Sequence, residues 1–459
     1  MQIGTRRPRK KLRVLVVVVV MIVVACVAWL ALRVGPAPEV VLDTERPAIG
    51  RAMMVTARFA EPTQGLGSIR LELVQGDRVE ILAENQLIRG SLLPWSSDIG
   101  TTEATLSATV GFSAQGWLVE GDAVIRATAD RSTGWLKPRD RVVVEDALPV
   151  RIQPPRLELL SSQHYGRQGG SGAVVYRVGE TAVRSGVRAG DHVSPGSKPE
   201  RGAPGDRFLL YALPWDLSDS TEVRLFAEDD AGNRVELPFL DGFIERALRV
   251  DQIRLTDRFL ERVVPAIASQ TPGFDAAGSL LDQYLVINGE LRRSELDRVR
   301  QLGHASEQRF LWSGAFLQMA NSARMAGFAE PRSYLYDGRE VDRQTHLGLD
   351  LASTARAPVP APNAGRVVFS GWMSLYGNAV VIDHGLGLLS LSGHLSAIHI
   401  GDGEHVERGQ TIGSSGATGL AGGDHLHLEI FVHGQPVDPI EWLDPRWIEH
   451  NITSKLGRP

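Results

Sequence analysis

The hydrophobic period of this chain changes twice, and those changes restrict it to a multidomain, mainly β architecture. From residue 40 to about Leu240 the apolar residues fall in short alternating or β-branched runs. Ile69-Arg70-Leu71-Glu72-Leu73-Val74, Val142-Val143-Val144 and Val223-Arg224-Leu225-Phe226-Ala227 are examples, parted by Gly, Pro, Asp and Asn. From Asp257 the spacing becomes helical: Phe259, Leu260, Val263 and Val264, then Leu280, Leu281, Tyr284 and Leu285, recur at three and four residues. Ser294 with Asp297 reads as a capping box opening a further helix, and the helical stretch is expected to reach about Met325. After Pro331 short strands return, including Ala379-Val380-Val381-Ile382 and Leu426-His427-Leu428-Glu429-Ile430.

A chain of 459 residues is too long for one core, so these segments read as separate units. The spacing of the first region suits Ig-like β-sandwiches at 40–152 and 153–250. A faint repeat supports two of them: Val124 to Asp130 followed by Ser132 and Gly134 resembles Val223 to Asp229 followed by Ala231 and Gly232. A helical connector at 251–328, a β-rich domain at 329–445 and a tail at 446–459 complete the expected order.

Residues 14–32 are an unbroken apolar run, long enough at about 1.5 Å per residue to cross the roughly 30 Å bilayer core. Arg6, Arg7, Arg9, Lys10, Lys11 and Arg13 precede it, and only Arg33 follows closely. The positive-inside rule then gives a cytoplasmic tail at 1–13, a transmembrane helix at 14–33 and the bulk of the chain in the periplasm or otherwise outside the cytoplasm. A cleaved signal peptide is the competing reading, disfavoured by the length of the run and the lack of a small-x-small site near Arg33. Val23-Val24-Ala25-Cys26 resembles a lipobox, but Val27 to Leu32 stays apolar where a lipoprotein turns polar. Gly35-Pro36-Ala37-Pro38 reads as a stiff linker. Cys26 is the sole cysteine, so no intramolecular disulfide can form. A net charge of -5 over this length carries no nucleic-acid signature.

Most histidines lie beyond Arg339. His346 and Asp350, four apart, can reach one metal ion, although the pair alone is weak evidence. In Asp424-His425-Leu426-His427-Leu428-Glu429 the alternation marks a strand, which turns His425 and His427 to one face and Leu426 and Leu428 to the other. His394 follows a glycine in Ser392-Gly393-His394-Leu395 and by itself is more simply structural.

Together these elements resemble the lysostaphin and LytM family of zinc endopeptidases, which carries His-x-x-x-Asp, a later His-Leu and a terminal His-x-His in this order. Tyr376-Gly377-Asn378, Ile382-Asp383-His384-Gly385-Leu386-Gly387 and Gly416-Ala417-Thr418-Gly419 fit as well, and the likeness runs from about Ala329 to Pro439. The resemblance implies Zn2+ as cofactor, held by His346, Asp350 and His427, with His394 and His425 as catalytic histidines. Three protein ligands would leave a fourth position open, as a catalytic zinc requires. It implies peptidoglycan peptides as substrate, with the β-sandwich regions available to envelope protein partners. Two rival readings are a non-catalytic LytM-like activator of a cell-wall amidase and an envelope scaffold with a structural metal. The first typically lacks zinc ligands, and the second usually needs a fourth ligand, often cysteine.

Ser392 stands where relatives often have an aromatic residue, and Asp424 where proline is common; both are expected to change the cleft wall. Tyr336 is expected to pack rather than to serve as an oxyanion donor. His384, His399, His405 and His433 read as turn or surface residues.

Overall fold

The computed structural model describes residues 9–32, 37–63, 65–88, 100–131, 140–199, 202–247 and 249–456. Arg6, Arg7, Arg33, the Gly35-Pro36 part of the linker, and Ser132 and Gly134 of the repeat lie outside the described residues. The chain is mainly β and divides into two compact units, Met1–Pro154 with Asp229–Asn233, and Pro155–Glu228 with Arg234–Pro459.

A helix, Arg9–Leu32, opens the first unit. Its described side chains, at 13–28, are all exposed. Among the described residues no helix is long and apolar enough to cross a membrane. The transmembrane helix expected at 14–33 is thus not supported by the structure, although a helix is present there.

The rest of the first unit is an antiparallel sandwich. One sheet contains Glu39–Thr44, Met53–Ala60 and Glu103–Val110, and the other Arg78–Gln86, Leu66–Gln75, Gly121–Arg131 and Arg141–Val150. Period-two patterning fills its core: Val55, Ala57 and Phe59 from the first sheet meet Leu71, Leu73, Ile125 and Ala127 from the second.

The second unit begins with another sandwich, of three strands (Leu157–Leu159, Ser171–Val178, Asp206–Ala212) against four (His192–Pro195, Ala182–Ala189, Val223–Asp229, Arg234–Leu237). Tyr176, Val187, Tyr211 and Leu225 are buried between them. The helical segment follows, and it differs from expectation in two respects. After Asp257–Ala268, one continuous helical run is built from Leu280–Val286, a π turn at Ile287–Leu291, and Arg292–His304. Its capping box is Ser279 with Asp282, which places Ser294 and Asp297 inside the helix rather than at its start. Regular helix also ends at His304, and 305–322 has none.

The C-terminal part is organised by an eight-stranded sheet. Its order is Ala323–Ala326, Leu349–Ala352, Leu426–Val432, Leu388–Leu395, Gly377–Asp383, Gly365–Met373 and His405–Val406, with Gln435–Val437 also on Leu426–Val432. Alternation along Leu426–Val432 sends Leu426 and Leu428 into one core and Phe431 into another. The Phe431 core is shared with the helical segment: Leu260, Val263, Val264, Ile267, Tyr284 and Ile287 pack with Tyr376, Val381, Leu391 and Phe431. The strand Asp251–Arg254 also joins Glu330–Tyr336 in parallel. The helices are therefore part of the same packed body as the sheet, and the expected boundary between a connector and a domain at 328/329 separates residues that share one core.

The sandwich is fastened to the far side of the sheet. Ala173, Leu210 and Ala212 meet Trp312, Phe316, Ile430, Val432 and Trp442 in one apolar cluster. Glu441, opening the short helix Pro439–Leu443, accepts the Ser171 amide at 2.8 Å, and the Trp442 indole donates to the Ser171 hydroxyl at 3.1 Å.

Burial pushes the Glu441 carboxyl from 4.5 up to about 8, aided by Asp438 and opposed by the Ser171 hydrogen bonds. A folded-state pKa above the unfolded value means that the folded protein holds the proton more tightly. This contribution to stability is complete below about pH 4.5 and is lost as the pH rises through about 8. Thermal unfolding followed between these two pH values should show a fall in stability that Glu441→Gln flattens. An identical slope in the variant would remove Glu441 as its source.

Candidate metal centre

Two strands set the site. In the antiparallel pairing of Leu349–Ala352 with Leu426–Val432, Asp350 stands directly across from His427. Cross-strand partners lie on the same face of a sheet, so the carboxylate and the imidazole are brought side by side. His346 ends the strand Arg339–His346, and the turn through Gly348 returns the chain to Asp350. A Cβ at Gly348 would lie 2.5 Å from His427 Cε1 and 3.0 Å from Glu429 Cγ, so glycine is what lets this turn pass over the ring.

The donor atoms converge. His346 Nε2 lies 3.0 Å from Asp350 Oδ1, His427 Nδ1 lies 2.7 Å from the same oxygen, and the two ring nitrogens are 3.2 Å apart. The opposite ring atoms fix the tautomers. His346 Nδ1 faces the Gly327 carbonyl at 2.7 Å, and a carbonyl only accepts, so the Nδ1–H donates. His427 Nε2 donates likewise to Glu429 Oε1 at 2.8 Å. With both outer N–H groups committed, His346 Nε2 and His427 Nδ1 are the ring atoms left to face Asp350 Oδ1, so that two nitrogens and one carboxylate oxygen surround a common point. All three residues are buried, and their donor atoms lie within 4.8 Å of one another.

Burial pushes the Asp350 carboxyl up, but hydrogen bonds from His346 and His427 outweigh it and hold it well below the usual range. Burial lowers His427, but hydrogen bonds with Asp350 and Glu429 prevail and raise it to about 9. His346 is lowered, chiefly by burial. Two imidazole nitrogens and one carboxylate oxygen suit a borderline cation such as Zn2+. The outer contacts fit as well. Glu429 backs His427 and accepts the Tyr376 hydroxyl at 3.1 Å, while Arg332 Nη2 donates to Asp350 Oδ2 at 3.3 Å. Such carboxylate–histidine pairs orient ligands and raise their basicity.

His394 and His425 face the same cleft. His394 is the extra residue of a β-bulge: Ser392 pairs with Val380 and Leu395 with Asn378, so two residues stand opposite one. Its φ of 60° is left-handed, a strained state for a residue with a Cβ, and bulges of this kind re-aim side chains at active sites. Its Nδ1–H donates to the Thr418 carbonyl at 2.8 Å, which leaves Nε2 uncommitted. Burial, reinforced by His427 and His425, holds the ring well below its ordinary pKa. His425 donates from Nδ1 to the Gly423 carbonyl at 2.9 Å, and its Nε2 is 3.6 Å from Asp350 Oδ1. The two ring centroids are 4.8 Å apart.

All five residues singled out from the sequence thus meet in one cleft. Asp424 shapes it by accepting from the Ser415 hydroxyl at 2.6 Å and from the Arg356 amide at 3.1 Å. Ser392 is buried within its strand. Tyr336 is half-buried and packs against the shared core, with its hydroxyl donating to Asp257 at 2.7 Å. His384 differs from expectation: it is fully buried, donates to the Ala364 carbonyl and pairs with Ser390, each at 2.8 Å. His433 is half-buried, whereas His399 and His405 are exposed. Sequence reasoning assigned no part to Glu429 or Arg332. The signal for Glu429 was present, because it continues the alternation of His425 and His427.

Residues 344–439 match the model of Peptidase family M23. Over 95 residues the chain is 43% identical to the DD-carboxypeptidase/endopeptidase Mpg of Neisseria meningitidis serogroup B, covering 21% of this chain and 22% of that protein. It is 42% identical over 96 residues to the peptidoglycan DD-endopeptidase ShyA of Vibrio cholerae, with the same two shares. Over another 96 residues it is 35% identical to the murein hydrolase activator EnvC of Escherichia coli, 21% of this chain and 23% of that one. The chain spans about a fifth of the length of these relatives. Because the three donors and both further histidines fall inside the matched segment, the C-terminal part of this chain is a domain of Peptidase family M23.

Proposed function

We propose that this chain is a zinc-dependent endopeptidase that hydrolyses peptide cross-links of bacterial peptidoglycan. The observation that carries the reading is the convergent donor set, His346 Nε2, Asp350 Oδ1 and His427 Nδ1, with two further imidazoles beside it. Zinc bound there supplies a Lewis acid for the scissile carbonyl and for an attacking water. The protein's part is positioning and proton transfer. Glu429 holds the His427 ring, Gly327 holds the His346 ring, and Arg332 steadies Asp350. His394 and His425 each present Nε2 to the cleft, since each Nδ1–H is committed to a carbonyl. In that tautomer Nε2 is an acceptor, so one ring can take a proton from water and, as the imidazolium it becomes, donate to the developing oxyanion or pass the proton to the leaving amine.

The likeness to Mpg and ShyA supports peptidoglycan as the polymer attacked. The likeness to EnvC favours a second reading, an activator that does not cleave, and the occupied donor positions weigh against it.

His427→Ala removes one of three protein bonds to the metal, so both zinc content and cleavage should be lost. His425→Ala should retain zinc while cleavage falls by roughly 10²- to 10⁴-fold, the usual loss for acid–base catalysis. Metal analysis beside mass analysis of released peptidoglycan fragments tests both. Full activity in both variants would exclude the strand from catalysis. A zinc-loaded protein that releases no fragments, yet accelerates a separate wall hydrolase, would establish the activator.

The location proposed is the cytoplasmic membrane, with the helix Arg9–Leu32 as a single-pass anchor and the remainder outside the cytoplasm. Support comes from the apolar run at 14–32 and the basic residues ahead of it. A reporter fused after Pro459 should be active only outside the cytoplasm, and Cys26→Ser should leave the protein in the membrane fraction. Cytoplasmic reporter activity would refute the orientation.

A further inference from the structure

Part of the wall of the metal cleft comes from outside the matched family segment. The cleft encloses about 460 Å3 and, beside the metal donors, is lined by Tyr284, Asn288 and Arg292 of the helical segment and by Arg332. Arg292 is held in place there by neutral groups. Its Nε donates to the Asn288 carbonyl at 3.1 Å and its Nη2 to Asn288 Oδ1 at 2.6 Å. Asn288 is wholly buried and is fixed in turn by Asp342 Oδ2, which accepts from its Nδ2 at 2.7 Å. Among the described residues no carboxylate lies within 4 Å of the Arg292 guanidinium. A half-buried charge is thus preorganised at a cleft, with donors left over and no anion to meet them.

Two further observations point the same way. Asn288 lies in the π turn Ile287–Leu291, and such turns inside α-helices occur frequently at functional sites. Arg332 spends one nitrogen on Asp350, while its Nε is buried with no partner. The acidic groups of the neighbourhood face other partners: Asp350 the histidines, Asp342 Asn288, Asp424 Ser415 and Arg356, Glu429 His427 and Tyr376, and Glu295 the Arg298 guanidinium at 3.6 Å. What remains unmatched in the cleft is positive and forked, the geometry that recognises a carboxylate.

We infer that Arg292, together with Arg332, forms a carboxylate-binding subsite, so that the preferred substrate is a peptide presenting a free carboxylate beside the scissile amide. The inference rests on the peptidase reading and adds a specificity to it. Arg292 binds the substrate and positions it; the acid–base work stays with the histidines.

The test uses the zinc-loaded full chain and one cross-linked peptidoglycan peptide in two forms, with its carboxylates free or converted to primary amides. Amidation should lower kcat/KM by roughly 10- to 100-fold, the range of a lost charge-assisted hydrogen bond. Arg292→Gln should lower kcat/KM by a similar factor on the free acid and leave the amide unaffected, the non-additivity expected of direct partners. Arg292→Lys, which keeps charge and bulk but loses the fork, should fall between and guards against a variant that merely misfolds. An amidation penalty of equal size with and without Arg292 overturns the subsite while leaving the peptidase reading intact. If the unaltered protein cleaves neither peptide, the hydrolytic reading falls, and calorimetric binding of the same two peptides decides the subsite. Tighter binding of the free acid that vanishes in Arg292→Gln upholds it, and equal binding refutes it.

Discussion

The pairing of Leu349–Ala352 with Leu426–Val432 is the contact on which the site depends. It places Asp350 across from His427, and the pleat then carries His427 and Glu429 on one face and Leu426 and Leu428 on the other. A slip of one residue would exchange the two faces, sending the imidazole into the apolar core and leucines into the cleft. Register is therefore specified by burial as much as by hydrogen bonds. Leu349, Leu351, Leu426 and Leu428 are all nearly inaccessible, and the cost of exposing them protects the donor geometry.

Around that pairing the protein tolerates local strain. His394 is forced into a left-handed conformation by its bulge, and Asp350, His346 and His427 are buried together. These arrangements cost free energy that the surrounding core must offset. The core is large enough because it is contributed from three directions: the sheet itself, the helices at 257–304, and the sandwich attached through Trp442 and Glu441.

The cluster of His346, Asp350 and His427 was legible in the sequence because each lies in a short local pattern with a physical meaning. His346 and Asp350 stand four positions apart, and His425 and His427 stand two apart on a strand whose alternation is plain. Features that depend on distant packing were not legible. Ser294 with Asp297 and Ser279 with Asp282 present the same capping pattern, and only the burial of Tyr284 and Ile287 decides that the helix starts at the earlier one. The π turn leaves no periodic signal. His384 sits in a glycine-flanked stretch that reads as a turn, yet Phe316, brought in from the irregular segment after His304, covers it at 4.8 Å between ring centroids. A membrane helix was expected from the apolar run at 14–32, and among the described residues no helix is long and apolar enough to cross a membrane.

The sharing of one core between the helices and the eight-stranded sheet separates two kinds of unit. The segment recognisable by ancestry, residues 344–439, is smaller than the body that folds. Cut free at its own boundaries it would lose Leu260, Val264, Ile267 and Ile287 and leave Tyr376, Leu391 and Phe431 facing water. An exposed apolar surface of that kind drives association. Modularity in this chain thus belongs to descent rather than to stability, and grafting the inherited piece into another protein would also mean supplying a substitute for the helices it rests against.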